Sequence, residues 1–317
     1  MNNAKKLMRA VTGLAIGDAY GLPYQFKARD TFEITDAMVG GGSFDMPKGT
    51  WSDDTSMTLA TIDALADGYD AETIMRAFEK WFNSEAYLPG EQAFDVGNGT
   101  TEALKSYAQT GEFGNFDADN EMNNGNGALM RIMPLAFYEI PSSMTLEQAI
   151  DEISGLTHGP QRSKLSARFW VYFMRMIGRG LPLERAMELA MQRLNAMDGI
   201  SALLINEKLS WLSTATATPA ELIATIKNKV IDEVPSSGYV VDTLLATLWV
   251  LLNTDDFKQA IMLATELGDD TDTITGLVGQ AAVFMYSDIP ADWIRDLRGK
   301  TEIEQVLNVA VTGGKFE

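Results

Sequence analysis

The chain has 317 residues, about 46% of them apolar, with no cysteine and one histidine. That content fills one large core, and the lack of cysteine excludes a disulfide framework and any thiolate metal site. A formal charge of −19, from 44 acidic against 25 basic side chains, lacks the basic footprint of a non-specific nucleic-acid binder and reads otherwise as a solvated acidic surface.

The opening segment carries Lys5, Lys6 and Arg9, but its apolar stretch is short and Asp18 interrupts it, so no signal peptide is read there. Leu7, Val11, Leu14 and Ala15 share one face of a first helix. On it Gly13, Gly17 and Gly21 recur every four residues and form a smooth ridge. That ridge suits either close helix packing or the floor of a site at Asp18-Ala19-Tyr20-Gly21. Residues 28–51 read as a long Gly- and Asp-rich loop, which leads into Trp51-Ser52-Asp53-Asp54-Thr55 and a helical run from Met57 to Ile62. Ile74, Ala77, Phe78 and Trp81 mark a helix over 71–83, and residues 110–127 form a second long loop.

Helical patterns then cover 145–156, 163–178, 182–197, 201–213, 219–230, 240–253, 256–266 and 272–287, with start signals at Pro182 and Thr218-Pro219. The one short strand-like run, Tyr239-Val240-Val241, enters a helical pattern. Leu244 to Leu252 is the most apolar stretch and falls far below the about 20 residues that span a bilayer. These patterns predict an all-α fold, a compact orthogonal multi-helix bundle whose long loops build the site. They predict a single domain over 1–317, in a cytoplasmic protein with no membrane or nucleic-acid partner. No sequence signal specifies an oligomeric state.

Two aspartate clusters carry the chemistry: Ser52-Asp53-Asp54-Thr55 and Gly268-Asp269-Asp270-Thr271-Asp272-Thr273. Their carboxylate and hydroxyl oxygens are hard ligands suited to Mg²⁺, Mn²⁺ or Ca²⁺, and a lone histidine leaves no His-based transition-metal site. Asp, Ser and Thr are also preferred helix caps, so each cluster alone reads as a ligand set or as a cap. Charges entering apolar helices are costly to bury unless neutralised, which a pair of divalent cations would do. Two such ions polarise water and hold substrate oxygens, which points to hydrolysis.

The ordered motifs resemble the ADP-ribosylglycohydrolase family over about residues 7–300. They are Gly13 to Pro23, Gly49 to Thr55, Phe94-Asp95-Val96-Gly97-Asn98-Gly99-Thr100, Asn124-Gly125-Asn126-Gly127-Ala128-Leu129-Met130-Arg131, Thr157-His158 and Gly268 to Thr273. The resemblance implies an all-helical enzyme with a binuclear Mg²⁺ or Mn²⁺ centre. It implies Ser52, Asp53, Asp54, Asp270, Asp272 and Thr273 as ligands. It implies that Asn123, Asn124, Gly125, Asn126 and Gly127 wrap the diphosphate and ribose, with glycine permitting close backbone approach. Asn98 is expected to bind substrate or to cap Thr100-Thr101-Glu102. His158 contacts substrate or is a packed core residue, and Arg131 is a counter-ion to the aspartates or a diphosphate contact.

The implied activity is hydrolysis of the glycosidic bond at C1″ of an ADP-ribosyl group, on an ADP-ribosylated protein or a small ADP-ribosyl substrate. A water attacks C1″, and Asp54 or Asp272 takes its proton. Gln25 stands where many relatives carry a glutamate, and glutamine is a poor proton acceptor. Glu33 in the following loop is a candidate substitute. The alternatives are an ADP-ribose-binding pseudoenzyme slowed by Gln25, or a hydrolase of another nucleotide-ribose N-glycoside.

Overall fold

The computed structural model describes residues 1–197, 199–215 and 217–316. Over those residues the chain is all-α, with isolated bridges at Gly41–Met46 and Gly125–Tyr239 and no sheet. In chain order the helices are α1 (Asn3–Gly21), α2 (Asp53–Ala66), α3 (Ala71–Phe82), α4 (Asn98–Thr110), α5 (Leu146–Gly155), α6 (Gln161–Ile177) and α7 (Leu183–Asn195). There follow α8 (Ile200–Asn206), α9 (Pro219–Lys227), α10 (Val240–Leu252), α11 (Phe257–Glu266), α12 (Thr271–Met285), α13 (Ala291–Asp296) and α14 (Lys300–Thr312).

The centre of the molecule is the α1–α12 pair, and glycine makes it possible. A Cβ on Gly13 would stand 2.1 Å from the Gly279 carbonyl oxygen, one on Gly17 would stand 2.1 Å from that of Thr275, and one on Gly21 would stand 2.5 Å from that of Thr271. The three contacts step in opposite directions along the two chains, so the helices run antiparallel with backbones nearly touching. The close approach lets the Thr271 and Thr275 hydroxyls donate to the Gly21 and Gly17 carbonyls at 2.8 and 2.7 Å. The C-terminal end of α1 therefore meets the N-terminal end of α12. The ridge packs helices, and by doing so it brings Asp18 on α1 to the end of α12 that carries Asp272.

Around this pair α10, α11 and α2 pack on α12, while α3 and α14 flank α2. Indole Nε1 of Trp170 donates to the Gln280 amide oxygen (2.9 Å), and Gln280 donates on to the Met130 carbonyl (3.0 Å). Buried polar groups thus stay paired as α6, α12 and the 124–131 segment meet. Among the described residues no helix is long and apolar enough to cross a membrane.

Most helices begin and end within a few residues of the hydrophobic periodicity. The exceptions have local causes. The 201–213 pattern breaks after Asn206, because Lys208 takes φ +60° and reverses the chain before a short 3-10 turn at Ser210–Leu212. The 219–230 pattern ends at Lys227. Tyr239 pairs once with Gly125 and then precedes α10, so the strand-like run forms no strand. Helix α4 starts in a Gly-Asn-Gly stretch of poor helix formers and buries only Thr100, Ala103, Leu104 and Tyr107.

Candidate active site

Asp18, fully buried on the last turn of α1, ties the first aspartate cluster to the floor. Both its carboxylate oxygens accept the Ser52 N–H, at 2.8 and 3.0 Å. One of them also accepts the Thr55 N–H (3.2 Å) and the Thr55 hydroxyl (2.6 Å). This fixes the start of α2, where Ser52 is the N-cap and accepts the Asp54 N–H at 3.4 Å. Burial pushes the Asp18 carboxyl up to about 7 against the pull of these hydrogen bonds.

The second cluster arrives through two left-handed residues, Gly268 at φ +74° and Asp269 at φ +62°, before Asp270 opens α12. Carboxylate oxygens of Asp53, Asp54 and Asp272 then lie within 4.8 Å of one another, all buried. Thr273 donates to Asp54 across the two clusters (3.3 Å). Capping accounts for Ser52. It does not account for one oxygen of Asp54 and both oxygens of Asp272, which are buried without a hydrogen-bond partner. Burial, and then the neighbouring carboxylates, push Asp53, Asp54 and Asp272 well above the usual carboxylate range. Buried like charges with free oxygens are the donor set a hard cation needs, and the residues present fit one.

Through Asp53, Asp270 and Thr273 the clusters reach a cavity of about 390 Å³, which is also lined by Gln25, Asp95, Asn98, Asn123, Gly125, Asn126, Gly127 and His158; Ser52, Asp54 and Asp272 are not on its wall. Phe26 and Met122, which are exposed, border the cavity. A larger, shallower hollow of about 590 Å³ near Gly114, Met144 and Lys164 holds no comparable cluster.

The 124–126 segment is held in place by backbone bonds. Asn126 N–H donates to the Gly238 carbonyl and Val240 N–H donates to that of Asn124, both at 3.0 Å. The Asn126 side chain donates to Asp270 and, at 2.9 Å, to the Thr243 hydroxyl, so the loop steers a carboxylate of the second cluster. Gly99, Gly125 and Gly127 surround the His158 ring. A Cβ on Gly127 would come within 2.7 Å of it.

Several expectations change. Asn124 is not on the cavity wall; its amide donates to the Glu121 carbonyl at 2.9 Å. Asn123 is on the wall but spends its amide on the Thr157 and Phe116 carbonyls (3.1 and 3.3 Å). Asn98 does not cap α4, because Gly97 is the N-cap and Asn98 is the first helical residue. Glu33 is exposed and outside the cavity. Arg131 touches neither aspartates nor cavity; its guanidinium stacks 4.3 Å over the Phe78 ring and donates to the Thr157 hydroxyl. Its charge sits in the core because the 124–131 segment turns inward there.

Asp95 and Asp18 carry site geometry that cluster counting passed over. Asp95 adopts φ +57°, lies beside Gln25 and Asp272, and has one buried, unpartnered oxygen. Its motif was visible, but no spacing rule links an isolated aspartate to a cluster about 40 residues upstream. Asp18 was visible as part of a possible site floor at the end of the first helix, but nothing in its spacing ties it to the Ser52 and Thr55 backbone that it holds.

The sequence profile of ADP-ribosylglycohydrolase matches residues 1–315. The chain belongs to the ADP-ribosylglycohydrolase family. It is similar to the ADP-ribosylarginine hydrolase Tri1 of Serratia proteamaculans, 33% identical over 96% of this chain and 78% of that one. It is also similar to the ADP-ribosyl-dinitrogen reductase glycohydrolase of Rhodospirillum rubrum, 27% identical over 94% of this chain and 92% of that one. A solved structure titled ADP-ribosylglycohydrolase-related protein complex superposes with TM-score 0.74 and 27% identity, over 98% of this chain and 99% of that one. Membership places this ADP-ribosylglycohydrolase among hydrolases of glycosidic bonds, with a floor of buried carboxylates where its two clusters meet.

Proposed function

We propose that this chain cleaves the glycosidic bond between ADP-ribose and a modified side chain, with ADP-ribosyl-arginine the foremost substrate, acting as one unit over residues 1–317. The observation that carries it is that Asp53, on the wall of a cavity bordered by glycine segments, lies within 4.8 Å of carboxylate oxygens of Asp54 and Asp272, both of which have buried, unpartnered oxygens. The ADP-ribosylarginine hydrolase of Serratia and the ADP-ribosyl-dinitrogen reductase glycohydrolase of Rhodospirillum support the substrate class.

Ser52, Asp53, Asp54, Asp270, Asp272 and Thr273 are the residues that would hold two divalent cations, Mg²⁺ or Mn²⁺. Such ions, when bound, supply positive charge that polarises water and steadies ribose oxygens. The start of α4 at Gly97 to Thr100 lies on the cavity wall, and its free N–H groups suit a diphosphate. Gly125, Asn126 and Gly127 bring backbone close to the ribose. Asp54 or Asp272 takes the proton of the attacking water as the bond at C1″ breaks, and Asp95, on the cavity wall with its carboxyl pushed up by burial, gives a proton to the departing side-chain nitrogen. Gln25 orients by hydrogen bonding, and Asp95 beside it supplies the carboxylate that Gln25 lacks.

The test is release of free ADP-ribose from proteins carrying ADP-ribosyl-arginine or ADP-ribosyl-serine, with Mg²⁺ or Mn²⁺ present. Release that EDTA and Asp272→Ala abolish supports the reading; no release from either substrate at saturating cation overturns it. Tight ADP-ribose binding without turnover, with activity gained by Gln25→Glu, would instead mark a binding protein.

A further inference from the structure

We infer that Arg131 and Thr157 form a buried relay that locks His158 as a neutral imidazole with its proton on Nε2, so that the cavity meets a fixed hydrogen-bond donor. The inference deepens the proposed function, and rests on it only for the identity of the ligand.

The relay follows from donor and acceptor counting. Arg131 is fully buried, and a guanidinium can only donate. Its Nη2 donates to the Thr157 hydroxyl at 2.7 Å, which occupies a lone pair of that oxygen. The same oxygen lies 2.8 Å from Nδ1 of His158. If Nδ1 carried the proton, the Thr157 hydroxyl would accept twice and its own hydrogen would need another acceptor. Among the described residues no further bond of that hydroxyl is formed, and a buried donor without a partner is disfavoured because it has given up its bond to water for nothing. The hydroxyl therefore donates to Nδ1, and the ring proton sits on Nε2.

Nε2 points at the cavity. Cβ atoms built on Gly99, Gly125 and Gly127 would stand 3.3, 3.4 and 3.2 Å from it, so three glycines leave it open to a ligand. Thr157 is itself pinned, because Asn123 donates to its carbonyl. Cation–π stacking of Arg131 on Phe78 keeps the charge at the back of the ring. A neutral Nε2–H suits an oxygen acceptor, a ribose hydroxyl or a phosphate oxygen of the nucleotide, and it does not exchange a proton with the reaction. Arg131 and Thr157 are thus positioning residues.

His158 is the only histidine, so ring-¹⁵N-histidine labelling gives one pair of imidazole signals. Expected in the metal-supplemented full chain is a protonated Nε2 and a bare Nδ1 across neutral pH. In Thr157→Val the two tautomers mix, and Thr157→Ser restores the wild-type pattern. ADP-ribose affinity should fall about 2- to 10-fold in Thr157→Val and recover in Thr157→Ser. A wild-type ring protonated on Nδ1, or a Thr157→Val spectrum identical to wild type, overturns the relay. Absence of ADP-ribose binding in the wild type overturns the proposed function and leaves the tautomer result standing.

Discussion

The Thr275 hydroxyl donates to the Gly17 carbonyl at 2.7 Å, across a helix contact so close that a Cβ on Gly17 would strike the Thr275 carbonyl oxygen at 2.1 Å. The two residues hold the end of α1 and the start of α12 in one register, and Asp18 and Asp272 stand next to them. Gly17→Ala must push α12 aside. It is expected to destabilise the fold by about 1–3 kcal/mol in urea titrations and to weaken cation binding together with stability. Unchanged stability would show that the pair is less tightly seated than the contact implies.

Cation-free protein should lose stability as pH rises. A carboxyl whose folded pKa exceeds its ordinary value stabilises the fold fully below that ordinary value and loses the contribution as pH rises through the folded one. For Asp270, raised to about 6 by burial, and Asp18, raised to about 7, the window runs from about 3.8 to about 7. The Tm of EDTA-treated protein is expected to fall across it, and Mg²⁺ or Mn²⁺ to restore the loss at pH 8. Asp272→Asn removes a charge from the cluster and should raise the cation-free Tm by about 2–6 °C while abolishing the rescue.

Asn126 donates to Asp270 and so orients that carboxylate. Asn126→Ala is expected to weaken cation affinity about 10- to 100-fold, the usual effect of losing a partner that holds a ligating side chain. Isothermal titration with Mn²⁺ reads it directly, and an affinity within about two-fold of wild type would remove Asn126 from the site's support.

Asp95 and Gln25 both line the cavity, and only Asp95 can pass a proton to the departing side chain. Asp95→Asn is expected to lower kcat by roughly 10²–10⁴-fold with KM little changed, while Gln25→Glu changes kcat by less than about ten-fold. The reverse ranking in steady-state kinetics would return the catalytic role to position 25.

The helices that packing requires were largely legible, because a buried face repeats every 3.6 residues wherever the helix lies on the core, as in α3 and α7. The α14 face of Ile303, Val306, Leu307 and Ala310 is equally regular, yet this element is absent from the periodicity reading. The weak stripe of α4 is legible only once its partners are known. At the site, dense clusters announced themselves, whereas Asp95 and the relay behind His158 did not. A lone aspartate in a left-handed turn and a buried arginine gain meaning from neighbours far away in the chain. Spacing encodes local geometry and is silent about such contacts, which is also why Arg131 and Glu33 took roles that the folded chain does not give them.

The central claim is that the carboxylates of Asp53, Asp54 and Asp272 are gathered to hold divalent cations. Metal analysis of protein purified without chelator, paired with Tm readings on adding Mn²⁺ or Mg²⁺, tests it most directly. The account predicts two such ions per chain, a raised Tm, and the loss of both in Asp272→Asn. A chain that carries no ion and melts at the same temperature with and without millimolar Mn²⁺ and Mg²⁺ would contradict it.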